Sequence, residues 1–247
     1  MTQQLNGKVA LVTGGSRGIG AGIARRLARE GATVAVTYQS SADAAATVVK
    51  EIEAEGGKAY AVRADSADRD AVRGVVDEVA RRSGRLDILV NNAGVVGFGP
   101  IGELTDEVYD QTVGVNLHAV FHASQAALRH LGEGGRIITI GSVNADRMPF
   151  AGGSLYALTK AGVAGFTRGL AREVGPRGIT VNTVQPGPVD TDMNPADGPM
   201  SGALLPALAV GRYGTADEVA AAVAYLAGPE AGYVTGATLD IDGGFLA

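Results

Sequence analysis

Residues 152–162 read GGSLYALTKAG, which sets Tyr156 and Lys160 four positions apart just after two glycines. In a helix that spacing is one turn, so both side chains leave the same face. A tyrosine at its free pKa of about 10 is a poor acid or base at neutral pH. A nearby lysine ammonium favours the phenolate and lowers that pKa, which lets the tyrosine shuttle a proton near neutrality. Ser142, in IITIGSVNADR, comes directly after a β-branched run, and a serine hydroxyl there can hold a carbonyl oxygen. Taken singly, each residue is also ordinary helix or loop chemistry. Together they are the protein groups that hydride transfer to a ketone requires.

A hydride donor needs a seat, and the N-terminal end of the chain supplies one. ALVTGGSRGIG (10–20) spaces Gly14, Gly18 and Gly20 after a strand pattern and at the opening of a helix pattern. Such glycines let the backbone approach a pyrophosphate, and the free N–H groups of the helix point at its charge. A NAD site usually places a carboxylate at the end of the second strand to accept from the ribose. Here that end reads Thr37-Tyr38-Gln39-Ser40, and Arg17 sits inside the glycine turn. Nothing repels a 2′-phosphate and one cation attracts it, so NADPH is expected in preference to NADH. Gln39 and Ser40 either add neutral donors or are plain surface residues. Asp65 and Ser66 follow the third strand pattern, where they either meet the adenine or begin the next helix cap. Asn91, Asn92, Ala93 and Gly94 follow the fourth and make a polar edge open to close approach.

These residues need a scaffold that brings strand ends together. Short apolar runs at 8–12, 33–37, 58–62, 86–90, 135–140, 178–184 and 237–241 alternate with helical patterns at 18–30, 41–55, 68–83, 105–131, 154–174 and 215–227. Apolar strands separated by helices imply a parallel sheet covered on both faces. No linker or composition break divides the 247 residues, so a single α/β domain with a seven-stranded parallel sheet is expected. Residues 187–211 break the alternation with four of the nine prolines. A loop leaving a strand's C-terminal end is well placed to cover a ligand, and this lobe reads as a substrate cover.

Composition narrows the remaining classes. At 46% hydrophobic residues the chain has material for one large core. The formal charge is -5, with acids and bases mixed and no basic block, so neither a nucleic-acid polymer nor a membrane surface is an expected partner. Cysteine is absent, which excludes disulfides and thiolate chemistry. The three histidines, His118, His122 and His130, lie close together without a metal-binding motif, and no metal is expected. With no signal pattern and no long apolar run, a cytoplasmic location is the expectation.

Taken together, the segments resemble the short-chain dehydrogenase/reductase family over nearly the whole chain. The glycine turn matches as Thr13-Gly14-Gly15-Ser16-Arg17-Gly18-Ile19-Gly20 and the asparagine motif as Asn91-Asn92-Ala93-Gly94; the catalytic set falls on Asn116, Ser142, Tyr156 and Lys160. The resemblance implies a Rossmann fold with NADP as cofactor, and a small ketone or secondary alcohol as substrate. Tyr156 would be the acid, Lys160 would bind the nicotinamide ribose, and Ser142 would orient the carbonyl. Asn116 would hold a water in a proton relay, a role that rests on the resemblance alone. Pro186, Gly187, Val189 and Thr191 would lie beside the carboxamide. Relatives of this length imply a homotetramer built on the helices near 105–130 and 154–174 and on the C-terminal segment.

Within the family, the chain resembles the 3-oxoacyl-carrier-protein reductase branch. That branch has basic residues before the fifth strand, whereas this chain has Leu131-Gly132-Glu133-Gly134-Gly135, and Arg177 alone retains a positive charge at the expected docking surface. A closer likeness, in Asn144-Ala145-Asp146-Arg147 and in Asn194-Pro195 and Gly198-Pro199-Met200, is to oxidoreductases linked to biofilm dispersal and cyclic di-GMP binding. Arg147 then either meets a phosphate or pairs with Asp146 to close its loop. The expected mouth is apolar: Val95, Val96, Phe98, Met148, Phe150, Leu155, Met193, Leu204 and Leu205. It suits a small or aromatic ketone. Carbonyl reduction with NADPH is the main expectation, with a cyclic-di-GMP-binding regulatory role or acyl-carrier-protein reduction as the alternatives.

Overall fold

The structure, a computed structural model, describes residues 3–247. Seven parallel strands form one sheet in the order β3-β2-β1-β4-β5-β6-β7. They are β1 (Val9–Val12), β2 (Thr33–Tyr38), β3 (Lys58–Arg63), β4 (Ile88–Asn91), β5 (Arg136–Ile140), β6 (Thr180–Pro186) and β7 (Thr238–Ile241). The seven-stranded parallel sheet expected from the sequence is therefore present. The order reverses between β1 and β4, and in such sheets ligands bind at that crevice, outside the strands' C-terminal ends.

Alternation along each strand divides the core in two. Ala10, Val12, Val34, Val36, Ile88 and Val90 face α1 (Gly18–Arg29), α2 (Ala42–Ala54) and the C-terminal Ala216–Ala227 helix. Val9, Leu11, Ala35, Leu89 and Ile137 face the opposite layer, built on α3 (Arg69–Ser83), the helices between β4 and β5, and the long Ser154–Val174 helix. Apolar side chains leave both faces of the central strands because both faces are covered.

The expected helix over 105–131 is not continuous. It consists of α4 (Asp106–Val113), a π-helical turn at Gly114–His118, and α5 (Ala119–Ala127). The cause is legible at Asn116, whose buried amide faces out of the widened turn. Its Oδ1 accepts from Val95 N at 2.9 Å and its Nδ2 donates to Val95 O at 2.9 Å. Inserted π turns of this kind are frequent at functional sites.

The remaining helices are α6 (Ser154–Val174), a single turn α7 (Ser201–Leu204) and α8 (Ala216–Ala227). A capping box starts α8: Glu218 N donates to Thr215 Oγ1 and Thr215 N donates to Glu218 Oε2. Between β6 and α8, a small separate cluster joins Leu204, Leu208 and Tyr213 to Val143 and Phe245. No described helix is long and apolar enough to cross a membrane.

Candidate active site

One cleft of about 1020 Å³ runs along the C-terminal edge of the sheet, over the β1/β4 reversal. Its β1–β2 end is lined by Gly14, Ser16, Arg17, Gly18, Ile19 and Gly20 from the glycine turn, and by Tyr38, Gln39 and Ser40. Asp65, Ser66, Asn92, Ala93 and Gly94 line it further along, followed by Ser142, Tyr156, Lys160, Pro186, Gly187, Val189 and Thr191. Of the residues expected to act in catalysis or to contact the cofactor, Asn116 alone is off this wall and lies behind it. Asn91 also lies apart: it is buried in the sheet, its Nδ2 donating to Ser124 Oγ at 3.2 Å.

The glycine turn is held from beneath by two threonines. Thr13 Oγ1 accepts from Asn92 N at 2.9 Å and from Ala93 N at 3.0 Å, while Thr37 Oγ1 accepts from Gly14 N at 3.0 Å. Asn92 closes the frame by donating its Nδ2 to Thr13 O and Gly14 O, at 2.9 and 3.0 Å. Gly14 has φ +62°, and a Cβ there would stand 3.0 Å from Ala93 Cα. Position and conformation alike exclude a side chain. α1 begins at Gly18 with no side chain capping its free N–H groups, which leaves them for an anion. Arg17, exposed at that N-terminus, has no ion-pair partner among the described residues. These features fit a phosphorylated dinucleotide.

At the other end, β5 and α6 bring the reacting side chains together. Ser142 is buried directly after β5, and its Oγ accepts from Asn144 N at 3.2 Å to cap a short 3₁₀ turn. Lys160, 6% exposed, donates from Nζ to Ile140 O at 2.9 Å. Its ammonium lies 5.6 Å from the centroid of the Tyr156 ring. A Cβ at Gly94 would stand 3.6 Å from both Lys160 Nζ and Asn116 Oδ1. The small residue therefore lets the cleft reach the lysine.

The electrostatics differ from the sequence expectation in one respect. Burial raises the Tyr156 pKa above its usual value, and only the Ser142 hydroxyl works the other way. Burial also brings the pKa of Lys160 down, to about 8. Asn116 is fixed by its side-chain amide. Besides its two bonds to Val95, its Nδ2 donates to Thr159 Oγ1 at 3.1 Å, so its amide is committed to protein partners.

The mouth is apolar where expected, at Val95, Val96, Phe98, Phe150, Met193 and Leu204. Met148, Leu155 and Leu205 do not line it; Leu155 is buried core and Leu205 packs in the cluster under the lobe. Asn144 and Met200, from the two stretches that carry the biofilm-dispersal likeness, line it as well, and Phe245 joins them without having been singled out. Phe245 lies in a glycine-flanked tail with no periodic pattern, so the sequence carried no signal for it. Asp65 lines the cleft but does not cap α3; Asp68 does, accepting from Asp70 N and Ala71 N. Arg147 does not pair with Asp146: its Nη1 donates to Phe245 O at 3.0 Å, while Asp146 accepts from Gln185 Nε2 at 2.6 Å. Arg177, the charge retained at the expected docking surface, donates to Leu128 O and Leu131 O.

Residues 14–246 match a family model described as Enoyl-(Acyl carrier protein) reductase. The chain is 55% identical over 239 residues, 97% of each chain, to the cyclic-di-GMP-binding biofilm dispersal mediator protein of Escherichia coli (strain K12). It is 43% identical over 243 residues to the 3-oxoacyl-[acyl-carrier-protein] reductase FabG of Vibrio harveyi, covering 97% of this chain and 98% of that one. Among solved structures, a short chain dehydrogenase from Burkholderia cenocepacia J2315 in complex with NADP is 58% identical. It superposes with a TM-score of 0.97, over 99% of this chain and 100% of that one.

Proposed function

Because the chain belongs to the short-chain dehydrogenase/reductase family, we propose that Tyr156 is the acid–base group of its NADPH-dependent interconversion of a ketone and a secondary alcohol. The convergence of Ser142, Tyr156 and Lys160 on one cleft with the glycine turn is the observation that carries this reading. The protein is an NADP-dependent oxidoreductase acting on carbonyl or alcohol groups. Bound NADPH supplies the hydride that reduces the carbonyl carbon. Arg17 and the free N–H groups at the start of α1 hold phosphate charge, and no carboxylate on Tyr38, Gln39 or Ser40 opposes it. Ser142 donates to the carbonyl oxygen and fixes it beside the Tyr156 hydroxyl. Tyr156 gives its proton to that oxygen as negative charge develops on it. Lys160, held by Ile140 O, binds the nicotinamide ribose and stands behind the phenol. Asn116 acts by position: it ties the Val95 loop to the helix that carries the two catalytic side chains.

The lobe at 187–211 serves as the cover of the carbonyl site, a reading supported by Thr191, Met193 and Leu204 lining the cleft. A homotetramer is supported by the exposed Phe121 and Leu158, which leave apolar surface on α5 and α6.

A second reading has a specific observation in its favour. Likeness to the cyclic-di-GMP-binding mediator, at 55%, exceeds likeness to the acyl-carrier-protein reductase, at 43%. Of the physiological roles weighed from the sequence, this supports the regulatory one more strongly than general carbonyl reduction. It does not displace the chemistry, because a complete set of reacting groups is retained. The test follows NADPH absorbance against aliphatic, aromatic, β-keto ester and acyl-thioester carbonyls, with Tyr156→Phe as control and cyclic di-GMP binding measured by calorimetry on both proteins. Turnover lost in Tyr156→Phe supports the enzyme. Cyclic di-GMP binding that survives the substitution, without turnover of any carbonyl, replaces it with the regulatory role.

A further inference from the structure

Residues 242–247 are held at several points. Asp242 Oδ1 accepts from Gly244 N and Oδ2 from Leu246 N, both at 2.9 Å. Val210 N, near the end of the lobe, donates to Gly243 O at 3.1 Å. A Cβ on Gly187 would stand 2.7 Å from Asp242 Cα, so the tail runs directly against the segment leaving β6.

Phe245 is where these ties converge. Its side chain is 2% exposed, packs with Val143, Leu204 and Leu208, and also forms part of the cleft wall. Val143 follows Ser142 directly, and Leu204 and Leu208 belong to the lobe. Phe245 thus ties the serine loop and the cover into one apolar cluster that borders the cleft. Its backbone is held from the same loop: Arg147 Nη1 donates to Phe245 O at 3.0 Å, with the guanidinium carbon 5.8 Å from the ring centroid. Arg147 N in turn donates to Val143 O at 3.0 Å, which fixes the arginine relative to the serine.

We propose that Phe245 is a specificity-determining residue of the carbonyl site and that Arg147 positions it. This rests on the reading that the Ser142–Tyr156 end of the cleft is where the carbonyl reacts. The tail and the lobe both border that end of the cleft and pack together at Phe245, so the size of residue 245 limits the size of the ketone. The admitted substrates are neutral and apolar. Phe98, Phe150 and Met193 line the cleft together with Phe245, and its acids are Asp192 and, after β3, Asp65.

The full-length protein and its Phe245→Ala, Phe245→Leu, Arg147→Met, Arg147→Lys and Tyr156→Phe variants are compared on cyclohexanone and acetonaphthone. NADPH affinity is measured on each by fluorescence. For Phe245→Ala, the ratio of kcat/KM for the larger ketone to that for the smaller rises by about tenfold or more, the scale at which pocket volume discriminates. NADPH affinity stays within about twofold. Phe245→Leu, which keeps the site apolar and filled, moves the ratio the same way by less and serves if the alanine variant does not fold. Arg147→Met follows Phe245→Leu, and Arg147→Lys, which still donates to the carbonyl, restores the ratio. An unchanged ratio in a folded Phe245 variant overturns the proposal. So does a parallel fall in NADPH affinity and in both ketones. Turnover that survives Tyr156→Phe removes the catalytic reading instead, whereas a Tyr156-dependent enzyme with an unmoved ratio removes this proposal alone.

Discussion

The ammonium of Lys160 stands 5.6 Å from the centroid of the Tyr156 ring while donating to Ile140 O at 2.9 Å. The lysine is thus placed one turn behind the phenol rather than hydrogen-bonded to it, and burial disfavours its charge.

That burial has a pH signature. The Lys160 pKa falls from 10.5 in its ordinary state to about 8 in the fold. Below pH 8 both folded and unfolded chains carry the proton, and the destabilisation is present in full. Between about 8 and 10.5 the unfolded chain binds more protons, so stability rises with pH and the destabilisation fades. The shift corresponds to something on the order of 3 kcal/mol. Lys160→Met has no such titration. Urea unfolding from pH 7 to pH 10 is expected to show wild type gaining stability relative to Lys160→Met, with turnover lost in the variant throughout. A constant gap between the two proteins would refute the assignment.

Arg17 tests cofactor choice. It is exposed at the start of α1 and has no ion-pair partner among the described residues, so its loss disturbs no internal contact. A hydrogen bond to a charged group contributes about 1.5–3 kcal/mol, which is roughly tenfold to a hundredfold in affinity. Arg17→Gln is expected to weaken NADPH binding by that factor and to leave NADH binding unchanged. Equal losses for both cofactors would show that the arginine does not read the 2′-phosphate.

The strands and nearly all helices were legible because period and punctuation agreed. Val9–Val12 and Thr33–Tyr38 are short, β-branched and buried on both faces, and Gly14 and Gly31 mark where each run meets a turn. What was not legible depended on tertiary partners. The π turn at Gly114–His118 arises because Val95, twenty-one positions earlier, supplies partners for the Asn116 amide, and no local pattern encodes that. The same holds for Phe245, whose burial is set by Leu204, Leu208 and Val143. Tyr156 and Lys160 were legible as a pair, yet the direction of the tyrosine's shift was not, since depth of burial is a property of the packed protein.

Two glycines separate the cofactor turn from plain helix propensity. A Cβ on Gly20 would collide with Asn92 Nδ2 and Gly14 O, both parts of the frame beneath the turn. Overpacking of this kind costs about 1–3 kcal/mol, and Gly20→Ala is expected to lose that stability together with at least tenfold in NADPH affinity. Gly74, inside α3, has nothing within 4 Å of a Cβ position. Gly74→Ala is expected to gain about 0.5–1 kcal/mol from helix propensity, with the cofactor bound as before. Thermal melts and fluorescence titrations on the pair check both halves; stabilisation by Gly20→Ala would refute the first.

Asn116 separates a positioning role from a structural one. Removing its amide takes away the side-chain partners of Val95 N–H and Val95 O, which are half-buried at the cleft, and each lost hydrogen bond costs about 0.5–1.5 kcal/mol. Asn116→Ala is therefore expected to lower the melting temperature and to reduce kcat. The decrease in kcat should exceed any change in KM for NADPH, since Asn116 is not part of the cleft wall. Asn116→Asp keeps the acceptor for Val95 N but sets a carboxylate against Val95 O, at a point where Gly94 leaves Lys160 Nζ close by. A carboxylate there favours the ammonium and raises the lysine pKa. Asn116→Asp should move any lysine-dependent limb of the kcat–pH profile to higher pH. A variant that lost stability but kept the wild-type profile would confine Asn116 to holding the turn together.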